Sequence, residues 1–287
     1  MVRQGFWVAG LLCFAISWSG ETGSLSARAH QMYQNGRYPQ AVHLLQRALA
    51  ASAKDADLEA ESRIYMDLAQ IFIEEMEYDA AADALGQIPT NKISTASRLF
   101  SLRLRLQLLN QQEKYAEAWN VYNAEAQTIS QAGASVLRGL LYLEAAEAAA
   151  GIAANVSVQS KLLKRAERDL DDETPGPLAM AKARVADLSG HPDTALYQNA
   201  LHLAQQSHRS WEIGQILFFL GQVQLKQGHQ SAAMDAFSRA AKVYWELALQ
   251  KHFLQAAQAR QGFRPTDPQL ETYLEQIRSV SSSSTDP

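Results

Sequence analysis

Residues 36–48 read Gly-Arg-Tyr-Pro-Gln-Ala-Val-His-Leu-Leu-Gln-Arg-Ala. Gly36 and Tyr38 mark a chain reversal, and Ala41, Leu45 and Ala48 then fall on one stripe of a helix, because positions three or four apart share a face. Two small residues seven apart, with a large one between them, let this helix approach an antiparallel neighbour toward the short end of the usual ~8–10 Å axis separation.

The pattern recurs. Tyr78, Ala81, Leu85 and Ile88 form a second instance; Tyr115, Ala118 and Tyr122, with Glu125 and Ala126 at the end, form a third. Gly190, Pro192, Ala195 and Asn199 read as a fifth, and Gly228, Ala233, Phe237 and Ala240 as a sixth. Each follows a helix that carries a large and a small residue upstream of the turn, as in Leu68 with Ala69 or Leu220 with Gly221. The alanines at 41, 81, 118, 195 and 233 are separated by 40, 37, 77 and 38 positions, and the 77 holds two steps. That leaves a degenerate fourth unit between Ala134 and Leu170, with Val156 or Ser157 in the alanine place and a loose turn over Gly151–Asn155.

Fixed-period self-similarity of this kind is the signature of a stacked helical repeat. The chain resembles the tetratricopeptide repeat (TPR) family over roughly residues 22–250, as a longer-helix variant, since the family's period is about 34 residues. The extra length falls in first helices such as Asp57–Glu75 and Ser94–Gln112. The resemblance implies an all-α, right-handed α-solenoid of about six stacked antiparallel helix pairs. Residues 22–260 form the solenoid in this reading, with no separate second domain. Helix continues from Trp245 to Arg260, and a capping helix within 261–280 starts at Asp267 as N-cap with Pro268 in the first helical position. Residues 281–287 make a polar tail with nothing to bury. The acidic run Asp169, Asp171, Asp172 and Glu173 before Pro175 reads as an inter-repeat loop, and Glu74 with Glu75 as solvated charge at a helix end.

The ends and the composition bear on compartment. Arg3 precedes an apolar run from Phe6 to Trp18, followed by Ser19 and Gly20. This is the shape of a secretory signal over residues 1–19, and the run is too short to span a bilayer. Cys13 is the only cysteine, so cleavage leaves a thiol-free chain in which disulfides, cysteine-ligated zinc and cysteine nucleophiles are excluded. The expectation is a bacterial protein, periplasmic or secreted, and not membrane-spanning once processed. With 26 basic and 30 acidic side chains the net charge is −4, which argues against a nucleic-acid partner.

Metalloprotease, phosphate-loop and serine-elbow motifs are absent from the sequence. The seven histidines are scattered, and His202 and His208, six apart, lie on different helix faces. No catalytic residue, cofactor or metal is therefore expected. What remains is a surface. The resemblance implies that the first helix of each pair lines a concave groove that holds a polypeptide. Counting back from each turn places His30, Tyr33, Arg63, Met66, Gln70, Arg103, Gln107, Asn110, Arg184, Phe218, Gln222 and Lys226 there. Its four cations and four amides suit an acidic partner or a free C-terminal carboxylate. The Lys and Asn that clamp a terminal carboxylate in TPR co-chaperones are not carried over, because Ser26 and His30 stand at those positions. The function expected is a non-catalytic scaffold or adaptor of the bacterial envelope. The alternative is a peptidoglycan-processing hydrolase with Glu144, Glu147 or Asp187 as acids.

Overall fold

The computed structural model describes residues 21–55, 57–133, 135–170, 175–207, 210–261 and 271–276. The signal segment, Asp171 to Glu173, His208, the Asp267–Pro268 cap and the 281–287 tail lie outside them. Every regular element described is a helix. The order is α1 Glu21–Gln34, α2 Tyr38–Asp55, α3 Leu58–Glu74, α4 Tyr78–Gly86, α5 Thr95–Gln111, α6 Tyr115–Gln131, α7 Val136–Gly151, α8 Val156–Asp169, α9 Pro175–Leu188, α10 Thr194–Gln206, α11 Ser210–Lys226, α12 Gln230–Glu246 and α13 Gln250–Gln261. The chain divides into two compact units, Met1–Pro192 and Asp193–Pro287. The division falls after α9, away from the acidic loop.

The first unit is an all-α stack of consecutive helix pairs. Helices pack in consecutive pairs, α1 with α2, α3 with α4, α5 with α6 and α7 with α8, while α3, α5, α7 and α9 also pack side by side as a layer of first helices. Side-chain caps from Asp57, Ser94 and Ser135 satisfy exposed N–H groups at the starts of α3, α5 and α7. The second unit packs α10 on α11, α11 on α12 and α12 on α13.

One kind of turn ends α1, α3, α5, α7, α9 and α11. A residue with left-handed backbone closes the helix at Gly36, Met76, Glu113, Ala153, Gly190 and Gly228, with φ between 53° and 80°. The next N–H reaches back five residues, as in Glu77 to the Phe72 carbonyl at 2.8 Å, Ala154 to Ala149 at 2.9 Å and His229 to Gln224 at 2.8 Å. This is the Schellman closure, and it satisfies carbonyls that would otherwise be orphaned. The same turn at Ala248 separates α12 from α13, so Trp245–Arg260 is not one continuous helix. The reversal brings Phe253, Ala256 and Ala257 into the core. Beyond α13, residues 271–276 are helical, with Tyr273 stacked 4.4 Å from Trp245.

Turn length then sets the register of the second helix. Helices α2, α4, α6 and α12 begin two residues after the left-handed residue, and Ala41, Ala81, Ala118 and Ala233 have no exposed surface. Helix α8 begins three residues after Ala153, and the buried stripe moves with it to Gln159, Leu162 and Ala166; Ser157 is exposed, and Val156 is 66% exposed rather than in the alanine place. Helix α10 begins four residues after Gly190, which moves the stripe by two. Tyr197, Leu201 and Ala204 are buried there, whereas Ala195 and Asn199 face solvent.

Close approach is visible at Gly221 and Gly151. A Cβ on Gly221 would stand 2.7 Å from the Phe237 ring, and one on Gly151 would overlap the Tyr115 ring. Asp169 departs from its loop reading. It is the last residue of α8, and its carboxylate takes two hydrogen bonds from the Arg138 guanidinium of α7, at 2.6 and 2.9 Å.

Two stability outcomes follow from these contacts. Ala153→Gly removes a left-handed non-glycine residue and raises the urea-derived stability by about 0.5–1 kcal/mol, while Gly228→Ala lowers it by about 1 kcal/mol. Asp169→Ala leaves Arg138 buried without its carboxylate and costs about 3–5 kcal/mol in the same measurement.

Candidate functional site

The layer of first helices carries a largely buried polar seam. On α3, Asp67, Gln70 and Glu74 recur at three and four residues and so share one face. On α5 the same holds for Arg103, Gln107 and Asn110, on α7 for Glu144 and Glu147, and on α9 for Arg184 and Asp187.

Most members are paired. The Tyr33 hydroxyl of α1 donates to Glu74 Oε1 at 2.6 Å, and Gln70 Nε2 donates to the same oxygen at 2.7 Å. Glu74 is thus buried and bonded, not solvated. Asn110 Nδ2 donates to the Glu144 carbonyl and to its Oε2, both at 3.0 Å. Arg184 reaches Glu147 Oε1 through Nε and Nη2 at 3.0 and 2.9 Å, the Tyr115 hydroxyl at 3.3 Å and Asp187 at 3.9 Å.

Arg103 is different. It is 8% exposed, and its Nε and Nη1 make no hydrogen bond. The amide oxygens of Gln70, Gln107 and Asn110 are likewise buried without a donor. Burying such groups unpaired is costly, so a partner that supplies complementary atoms gains the full interaction. Burial also moves the seam's carboxyls. It pushes Asp67 up to about 8 against the pull of Arg63. It pushes Glu144 up to about 7, helped by Glu147 and opposed by Arg103 and the Asn110 hydrogen bond.

The residues expected in a groove therefore sort by burial. Met66 and Phe218 belong to the core, the latter with its ring 5.6 Å from Phe237, because their positions on α3 and α11 face the packed neighbours rather than a surface. Gln70, Arg103, Gln107, Asn110 and Arg184 are buried polar groups of the seam. Arg63 is half-buried and holds Glu59 at 3.2 Å, and Glu59 in turn accepts from the Ser94 N–H at the start of α5 at 2.9 Å. His30 and Tyr33 are half-buried on α1, with the His30 ring 2.7 Å from the Gln34 amide. In the second unit, Gln222 is half-buried and Lys226 exposed. Sequence reading missed Asp67, Glu74 and Tyr115 as seam members. The usable signal was polar residues repeating every three or four positions on helices whose other faces are apolar.

The acids proposed for hydrolysis are engaged as well. Glu147 and Asp187 share Arg184, and Glu144 is held by Asn110. Among the described residues no cluster of His, Cys, Asp or Glu could hold a metal ion, and no helix is long and apolar enough to cross a membrane.

Comparison with known proteins bears on this same layer of helices. The family model for the Suppressor of spindle checkpoint defect 1 C-terminal domain matches residues 28–192. The chain belongs to that family. The match to the Suppressor of spindle checkpoint defect 1 C-terminal domain runs from α1 to the end of the first compact unit at Pro192, and so contains the whole seam. No curated protein matches the chain. Among solved structures, a tetratricopeptide repeat protein from Parabacteroides merdae ATCC 43184 is similar, at 15% identity and a TM-score of 0.38, over 82% of this chain and 98% of that one.

Protonation of the seam has a measurable consequence. The Glu144 carboxyl titrates near 7 when folded, above its ordinary value, so its contribution to stability is complete at acid pH below that ordinary value and is lost as pH rises through about 7. Glu144→Gln removes the dependence, and the stability of the variant relative to wild type, from urea curves, rises between about pH 5 and pH 8 and is level above.

Proposed function

We propose that the protein is a non-catalytic interaction scaffold whose first unit holds a partner polypeptide along the layer of first helices. The observation that carries this reading is Arg103, a buried guanidinium with two N–H groups unpaired, together with the unpaired amide oxygens of Gln107 one turn along α5 and of Gln70 on the adjacent α3. Unpaired donors and acceptors of both kinds suit a peptide main chain, and the guanidinium suits a carboxylate, so the partner is an acidic segment or a free C-terminus. His30, Tyr33 and Arg63 would extend the contact along α1 and α3, while Arg184 fixes the α9 end. Gln222 and Lys226 offer a separate set of contacts in the second unit.

The leader-like segment before Gly20 supports export, and a thiol-free chain is compatible with an oxidising compartment. The setting proposed is therefore the bacterial periplasm, with the protein serving as an adaptor of an envelope assembly, built from about six repeats. The hydrolase alternative rests on Glu144, whose near-neutral titration suits a general acid. Release of glycan fragments from sacculi by wild type, lost in Glu144→Gln, would establish it in place of the scaffold.

A photo-crosslinker placed at Gln107 in living cells yields a discrete protein adduct in this reading. Arg103→Gln weakens binding of that partner by about tenfold or more, the scale of a charged hydrogen bond, in a titration made below about pH 6, where the Glu144 carboxyl that Arg103 faces is protonated and the folded fraction is matched to wild type. Absence of an adduct above background removes the proposal.

A further inference from the structure

We infer that the N-terminal helix pair carries a second docking site, for an acidic amphipathic helix of a partner protein, in the trough between α1 and α2. A cavity of about 440 Å³ opens there, with Met32, Pro39 and Leu44 as its apolar lining, Leu44 the deepest, and Arg28, Gln40, His43 and Arg47 as its polar lining. Pro39, His43 and Arg47 are spaced four apart on α2 and form a stripe about 12 Å long; Arg28 and Met32 add one turn of α1. The length and the open shape fit two turns of a docked helix whose apolar anchors repeat every three to four residues.

Charge selects the occupant. Residues 21–55 contain Arg28, Arg37, Arg47 and Lys54 against only Glu21 and Asp55, a local excess of +2 in a chain whose net charge is −4. Elsewhere in the first unit Arg63, Arg98, Arg138 and Arg184 each hold a carboxylate. Arg28 and Arg47 are exposed and have no ion pair among the described residues, and no acidic side chain lines the cavity. No described carboxylate neutralises these cations, and they flank an apolar lining. A helix with Glu or Asp one turn to either side of a Leu or Met stripe satisfies both features. Two guanidiniums around a concave floor are a poor match to an anionic bilayer, whose recognition calls for a cluster of about four to eight cations.

The test uses the full chain and fluorescent helical peptides of about 18 residues, long enough to be helical in isolation. One carries a Leu stripe flanked by Glu; two controls replace each Glu with Gln or Lys. The Glu peptide should bind, weaken as salt is raised, and outbind the Gln peptide by about tenfold. Arg28→Glu with Arg47→Glu should abolish the preference and favour the Lys peptide, with an unchanged circular dichroism spectrum and urea midpoint. The milder Arg28→Gln with Arg47→Gln should give an intermediate loss. Arg103→Gln should leave Glu-peptide binding intact, which separates this site from the seam. Equal binding of the Glu and Gln peptides, or binding insensitive to the double reversal, overturns the inference. So does retention on phosphatidylglycerol vesicles, or self-association in sedimentation, that the double reversal abolishes while peptide binding is absent; these outcomes assign the trough to lipid or to a second copy.

Discussion

A chain reversal completed by one left-handed residue fixes where every second helix begins, and with it which of its side chains can be buried. A helix turns about 100° per residue, so one extra residue in the turn would swing an apolar stripe off its neighbour unless the sequence moved the stripe too. Helices α8 and α10 show the compensation. Their turns are longer by one and two residues, and the buried positions move to Gln159 and Ala166 in one and to Tyr197, Leu201 and Ala204 in the other. The close contacts of Gly151 with Tyr115 and of Gly221 with Phe237 make that register unforgiving, since no side chain could be accommodated at either glycine without displacing an aromatic ring.

Much of this was legible in the residues. The turns at Gly36, Gly190 and Gly228 announce themselves, and the caps Asp57 and Ser94 mark the starts of α3 and α5. Where the left-handed position is Met76, Glu113 or Ala153, local preference points away from the turn, and only the period and the stripe reveal it. The fourth and fifth stripes were misplaced because spacing was measured from alanine to alanine, and turn length is not written in that interval. The α12–α13 reversal was missed because Ala248 is an ordinary helix former held left-handed by packing of Phe253 and its neighbours.

The site was legible in residue type but not in depth. Gln70, Arg103, Gln107, Asn110 and Arg184 were found by counting along first helices, and that count cannot tell a surface facing a partner from an interface between adjacent helices. Here these side chains lie at the seam where α3, α5, α7 and α9 pack side by side, so most of each is buried against a neighbouring helix and only its edge remains exposed. Glu74 was read as solvent-facing because an acid near a helix end usually is. The Tyr33 hydroxyl, forty-one residues away in sequence, makes burial tolerable, and such a pairing has no local trace.

A buried polar layer between helices is not a stabilising choice in itself, since well-packed apolar residues of similar volume often do as well or better. What such a layer does show is which neighbours meet, since each of its hydrogen bonds pairs particular residues of two helices. The cations of the first unit divide along that line. Arg138 and Arg184 are saturated by Asp169, Glu147 and Tyr115, and lock α7 to α8 and α9. Arg103 is as deeply buried, yet two of its donors make no hydrogen bond, and Arg28 and Arg47 flank an apolar cavity with no ion pair among the described residues. A guanidinium that the fold has not neutralised costs stability wherever water is scarce. Selection for stability alone would replace Arg103 with leucine or methionine. The distinction between satisfied and unsatisfied guanidiniums therefore separates residues whose contacts assemble this stack from residues whose charge the described fold leaves without a hydrogen-bonded carboxylate.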